Sequence, residues 1–209
     1  MIKVNKVSLK IRNYNILNDI SLCIKRGEAV GFVGSNGSGK TMLMKCICGF
    51  NTMFTGEITV NDKVIGKDVE FIENAGIIIE TPGFVPYMTG YENLKVLAGI
   101  KKKIDKNVIC SYMELVGLNP DDKKSVRKYS LGMRQRLGIA QALMENPDIL
   151  ILDEPFNGLD KVMTEKIRNL LVDEKKKGKT IILASHNEQD IAYICDRTYT
   201  MDGGELVVI

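Results

Sequence analysis

Gly34-Ser35-Asn36-Gly37-Ser38-Gly39-Lys40-Thr41 matches the pattern G-x-x-x-x-G-K-[ST]. The apolar run Ala29-Val30-Gly31-Phe32-Val33 precedes it, and a segment of helical pattern opens at Thr41 and runs to Cys48. Strand, glycine loop and helix in that order are the context that gives the pattern meaning. Glycines let successive backbone N–H groups turn inward and form a nest for phosphate oxygens. The helix N-terminus adds positive potential. Lys40 is placed to reach β- and γ-phosphates, and the Thr41 hydroxyl to ligate Mg²⁺. The loop implies a nucleoside triphosphate. Kinases, GTPases and motors share it, so the rest of the chain has to discriminate.

Outward from the loop, short apolar or β-branched runs alternate with segments of helical period. Val4–Ile11, Glu28–Val33, Ala75–Glu80, Ile149–Asp153 and Ile181–Ala184 read as strands. Glu57–Asn61 with Val64-Ile65, and Thr198–Met201 with Leu206–Ile209, read as hairpins. Helical patterning covers Gly90–Ile100, Lys106–Val116, Leu131–Glu145, Lys161–Lys176 and Asn187–Ile194. Apolar strands without alternation fit a sheet covered on both faces. Their alternation with helices fits an α/β domain. From about Pro82 to Gly138 the strand signal disappears, which predicts a helical subdomain over 82–138 inserted into an α/β core of 1–81 and 139–209. There is no internal repeat and no low-complexity linker.

Composition narrows the field. The 209 residues carry 29 basic and 26 acidic side chains, a net charge of +3. So even a balance argues against an electrostatic nucleic-acid binder. The lysine runs Lys101–Lys103 and Lys175–Lys177 read as solvated helix ends. No apolar run approaches the ~18 residues of a membrane span. The first residues, Met1-Ile2-Lys3-Val4-Asn5-Lys6, lack the apolar stretch of a signal peptide, so a cytoplasmic location is expected. Any membrane role has to come through a partner. Five cysteines stand at 23, 46, 48, 110 and 195 without a C-x-x-C pair, and read as buried, reduced thiols.

Ile149-Leu150-Ile151-Leu152-Asp153-Glu154 is an apolar strand ending in two carboxylates. Asp153 is suited to Mg²⁺, directly or through water, and Glu154 to polarising an attacking water as general base. Asp153 stands 113 positions after Lys40, too far for small nucleoside kinases and small GTPases. Tyr129-Ser130-Leu131-Gly132-Met133-Arg134-Gln135-Arg136, about twenty residues earlier, resembles the LSGGQ signature of ABC-type ATPases. Asn157-Gly158-Leu159-Asp160 looks like their D-loop. His186, the sole histidine, follows a strand where their switch histidine stands. Five ordered motifs carry this resemblance across essentially the whole chain.

The resemblance implies a P-loop NTPase fold: a three-layer core with a mainly parallel sheet, an N-terminal antiparallel β subdomain and an inserted helical subdomain. It implies hydrolysis of ATP with Mg²⁺, held by Gly34–Thr41 and by Thr41, Glu80 and Asp153, with Glu154, His186 and Lys40 in the reaction. It also implies a head-to-tail dimer in which Ser130 and Gly132 reach the γ-phosphate bound by the other subunit. Ser130 caps the helix from Leu131, so its hydroxyl and nearby N–H groups can meet an anion. A separate integral membrane permease is the implied partner. A soluble ABC-type assembly scaffold is the alternative.

Two departures from the family pattern matter. Leu131 replaces the first glycine of the signature and Met133 its glutamine, which removes contacts that need the glutamine. Glu80 replaces the usual glutamine at the end of Ile77-Ile78-Ile79, and supplies a harder Mg²⁺ ligand. The segment Glu80–Leu94 looks like the subgroup that exports peptide antibiotics, including bacitracin- and lantibiotic-resistance transporters. Phe84, Val85, Tyr87 and Met88 form an apolar loop patch, either packed in the helical subdomain or open to a permease helix. For stacking adenine, Tyr14 is the aromatic candidate and Ile11 the positional one.

Overall fold

The computed structural model describes residues 1–101 and 104–208. Lys102 and Lys103 of the first lysine run, and Ile209 of the last hairpin, lie outside the described residues. The chain opens with β1 (Ile2–Ile11) and β2 (Tyr14–Ile24), then β3 (Ala29–Val33) and α1 (Lys40–Cys48). β4 (Thr55–Val60), β5 (Lys63–Val64) and β6 (Ala75–Ile78) follow. Next come α2 (Gly90–Lys101), α3 (Lys106–Leu115), a 3-10 turn at Val126–Lys128 and α4 (Leu131–Leu143). The chain ends with β7 (Ile149–Asp153), α5 (Lys161–Lys176), β8 (Thr180–Ala184), α6 (Glu188–Ile194), β9 (Arg197–Asp202) and β10 (Glu205–Val208).

The strands form two sheets. One is antiparallel, in the order β2-β1-β4-β5. The other runs β10-β9-β3-β8-β7-β6. Within it β9, β3, β8, β7 and β6 are parallel and only β10 runs against its neighbour. Every residue of β3, β7 and β8 is buried, as expected for strands covered on both faces. Their side chains alternate between two cores. Val30, Phe32, Ile149, Ile151 and Ile182 face α1 and the antiparallel sheet. Leu150, Leu152, Ile181 and Leu183 face the later helices, in a core that continues without a break through Leu94, Ile109, Met113 and Leu137 of α2, α3 and α4. The result is the three-layer α/β arrangement expected from the sequence.

Local signals set the helix starts. Thr89 and Glu92 form a reciprocal capping box at α2, with N–H···O distances of 2.8 and 3.2 Å. Asp105, Ser130 and Asp160 each accept a backbone N–H three residues on, at 3.0, 3.2 and 2.8 Å.

Three details depart from the sequence reading. β2 has no counterpart in it. Its buried positions are Leu17, Ile20, Leu22 and Ile24, and the polar pair Asn18-Asp19 breaks the alternation, with Asp19 at φ 48°. β6 stops at Ile78 because Glu80 turns into the left-handed region at φ 58°, so Ile79 and Glu80 lie beyond the strand. α4 stops at Leu143 rather than Glu145, and Asn146 turns the chain toward β7 at φ 51°.

Candidate functional site

The glycine loop joins the C-terminal end of β3 to α1. Lys40 is 6% exposed. Its ammonium donates to the Gly34 carbonyl at 2.7 Å, the Ser35 carbonyl at 2.9 Å and Ser38 Oγ at 3.4 Å. Those carbonyls hold the cation against the loop's own backbone. Ser35, Asn36 and Gly37 are exposed, and Gly39 caps α1 in the left-handed conformation at φ 106°. Gly34 sits at φ 149°, and a Cβ there would lie 2.2 Å from the Met201 carbonyl oxygen. Only glycine fits at that position.

Thr41 Oγ1 donates to Asp153 Oδ2 at 2.6 Å, tying the first turn of α1 to the end of β7. Asp153 is 5% exposed. Burial pushes its carboxyl above the ordinary range, partly opposed by the Thr41 hydroxyl and the nearby Lys40 cation. Glu154 follows at φ 50°, a left-handed turn that swings its side chain off the strand axis. Its N–H donates to the Ala184 carbonyl at 2.9 Å, and its own carbonyl accepts from Gln135 Nε2 at 3.3 Å. Glu154 Oε2 lies 2.8 Å from His186 Nδ1.

Asn36–Thr41, Glu80, Asp153 and Glu154 line one cleft of about 560 Å³, with Leu131, Gln135, Asn157, Lys45 and Ile16. Three acids, the Thr41 hydroxyl and a basic loop fit a phosphate with a hard divalent ion, which keeps most of its shell as water and phosphate oxygen. No cluster of three or more His, Cys, Asp or Glu residues forms a metal cage among the described residues. The Glu80 carboxylate is turned to Lys45, at 2.6 Å.

Ser130 and Gly132 do not line this cleft. Ser130 is exposed at the start of α4, and Gly132 lies against Gly158, whose carbonyl oxygen would be 2.4 Å from a Cβ at position 132. Tyr14 does not reach the cleft either. It starts β2 opposite Ile11 and is 74% exposed, whereas Ile16, two residues on, lines the cleft. The apolar patch divides: Phe84 packs against the core while Tyr87 is 78% exposed.

Sequence reading missed Lys45, Gln135 and Ile16. Lys45 stands four residues after Thr41, so helix geometry puts both on one face. Gln135 is buried at 4%, an unusual place for an amide, but only the fold reveals that it holds the Glu154 backbone.

Comparison with known proteins agrees with this geometry. The ABC transporter family profile matches residues 17–157. The uncharacterized ABC transporter ATP-binding protein YybJ of Bacillus subtilis is 41% identical over 99% of this chain and 94% of its own length. The bacitracin transport ATP-binding protein BcrA of Enterococcus faecalis is 36% identical over 99% of this chain and 68% of its own. A dimeric structure of the cassette MJ0796, in a post-hydrolysis state bound to ADP and Pi, superposes with a TM-score of 0.87. It is 23% identical, and the match covers 99% of this chain and 96% of that one. The chain with the glycine loop at β3, the acid pair at the end of β7 and the histidine after β8 therefore belongs to the ABC transporter family, as an ATP-binding subunit and ATPase.

Proposed function

We propose that this chain powers a separate membrane permease by hydrolysing ATP, and that the cargo exported is a peptide antibiotic or a related compound. The observation that carries the reading is the single cleft in which the Thr41–Asp153 contact and Glu154, paired with His186, stand beside the phosphate loop. Gly34–Thr41 bind the triphosphate, with Lys40 neutralising its charge. Thr41 and Asp153, joined by Glu80, hold Mg²⁺. When bound, that ion neutralises charge on the transferring phosphoryl group. Glu154 takes a proton from the attacking water, and His186 orients the Glu154 carboxylate.

The site is completed by a second copy or a homologous ATPase. Ser130 and Gly132 sit outside this chain's own cleft, on an exposed helix start suited to an anion. The permease docks beside α2, where Tyr87 and Val96 are 78% and 52% exposed and line a shallow groove with Met88, Glu92 and Lys95. No helix among the described residues is long and apolar enough to cross a membrane. The subunit then sits at the cytoplasmic face of the membrane, held by its permease. The bacitracin transport relative and Glu80 support peptide-antibiotic export.

The test is affinity capture from detergent-solubilised membranes of the native host. The expected result is co-purification with a multi-span protein whose co-expression raises resistance to a peptide antibiotic. Capture without any integral membrane protein would sink the transport reading.

A further inference from the structure

The turn that carries His186 is anchored from behind by residues that no sequence motif marks. Asp190 lies in the first turn of α6 and is 2% exposed. Arg168 Nε donates to its Oδ1 at 2.6 Å, and the Arg168 Nη2 meets the same oxygen. The other oxygen, Oδ2, accepts from Ser185 Oγ at 3.3 Å. Ser185 is 1% exposed and immediately precedes His186. Its Oγ in turn accepts the backbone N–H of Asn187 at 3.1 Å. One chain neighbour of His186 carries this hydroxyl and the other donates its N–H to it, and the hydroxyl itself donates to a carboxylate held by Arg168.

Arg168 lies on α5, the helix capped by Asp160, the last residue of the Asn157–Asp160 loop. The path therefore runs from the loop beside the cleft, along α5, through Arg168, Asp190 and Ser185, to His186. The His186 side chain is itself 67% exposed. A ring that open is held little by packing, so the backbone turn under it decides where Nδ1 points. An ion pair in which Arg168 is half-buried and Asp190 fully buried is a costly way to join two helices when apolar residues would do. Its cost is explained if the pair fixes a direction rather than a contact.

We propose that Arg168 and Asp190 are positioning residues that set the His186 ring against Glu154 and couple it to the Asn157–Asp160 loop. The proposal rests on the reading of Glu154 and His186 given above. Because His186 is the sole histidine, its ring signals are unambiguous in NMR spectra of the full chain labelled at histidine with ¹⁵N. The variants are Asp190→Asn, Arg168→Met and Arg168→Lys, with Ser185→Ala cutting the same path if the charge variants do not fold. Asp190→Asn, Ser185→Ala and Arg168→Met are expected to lower kcat about 10-fold, leave KM for ATP within about 2-fold, and shift the His186 ring signals. Arg168→Lys is expected to recover most of the turnover lost in Arg168→Met.

Unmoved ring signals with unchanged kcat would overturn the proposal. So would a fall in turnover that tracks melting temperature and spares the ring signals, which marks a merely structural pair. Full turnover in His186→Ala would instead overturn the reading of the site, and the ring signals would still decide the positioning.

Discussion

His186 Nδ1 lies 2.8 Å from Glu154 Oε2, so the chain's sole histidine and the second acid of the strand-end pair act as one unit. Glu154 reaches this position through a left-handed backbone at φ 50°, fixed by its N–H bond to Ala184 on the neighbouring strand. Glu154→Gln keeps shape and removes the proposed base. It is expected to lower turnover by about 100-fold or more while retaining ATP affinity. Single-turnover hydrolysis and equilibrium nucleotide binding check this, and undiminished hydrolysis would remove Glu154 as base.

The buried Asp153, the proposed metal ligand, costs the folded chain stability when ionised. Burial raises its carboxyl, so the folded chain holds the proton more tightly than the unfolded chain. The stabilisation this gives is full below the unfolded value and is lost as pH rises through the raised folded value. At neutral pH the ionised, buried carboxylate is a burden. Asp153→Asn should therefore raise the melting temperature of the metal-free chain at pH 7 by about 2–4 °C and abolish Mg²⁺-dependent turnover. Thermal melts at pH 7 with and without Mg²⁺ measure both effects, and a lower melting temperature would contradict the account.

Lys45 stands as the competitor of the proposed Mg²⁺ for the Glu80 carboxylate. The Lys45–Glu80 ion pair is 2.6 Å long, but the Glu80 side chain is 63% exposed, so it adds little to stability. Glu80→Gln is expected to raise the Mg²⁺ concentration for half-maximal turnover about 10-fold. Lys45→Met should lower it, since the carboxylate is freed. A magnesium titration of ATPase activity separates the two, and movement in the same direction would rule out the competition.

The five thiols differ in reactivity. Burial pushes Cys46, Cys48 and Cys195 up to about 12, whereas Cys23 is exposed. A thiolate-selective reagent at pH 8 should label Cys23 fast, the half-buried Cys110 slowly, and the other three only after unfolding. Peptide mapping of the labelled chain reads this directly. Rapid native labelling of Cys46 would mean that α1 opens.

Much of this was legible in sequence because local rules and burial agree. β7 and α5 fall on their expected residues, Ile149–Asp153 and Lys161–Lys176, since an unbroken apolar run and a capped amphipathic period leave no competing assignment. The second lysine run is made of paired helix-end side chains: Lys175 meets Asp196, Lys176 meets Asp173 and Lys177 meets Glu174. What failed depended on backbone irregularity or on distance in the chain. β2 was hidden by the irregularity at Asp19, and the end of β6 by the left-handed Glu80. Asp190, 22 positions from Arg168, carries no periodic signal that would pair them.

Gly132 and Gly158 meet backbone to backbone, with no side chain between them. Such a seam cannot be adjusted by small steps of substitution, because the first added methyl group already collides. Sequence drift in this protein must therefore pass around it. The angle between the start of α4 and the loop that follows β7 is set by this contact and is inherited as a fixed part.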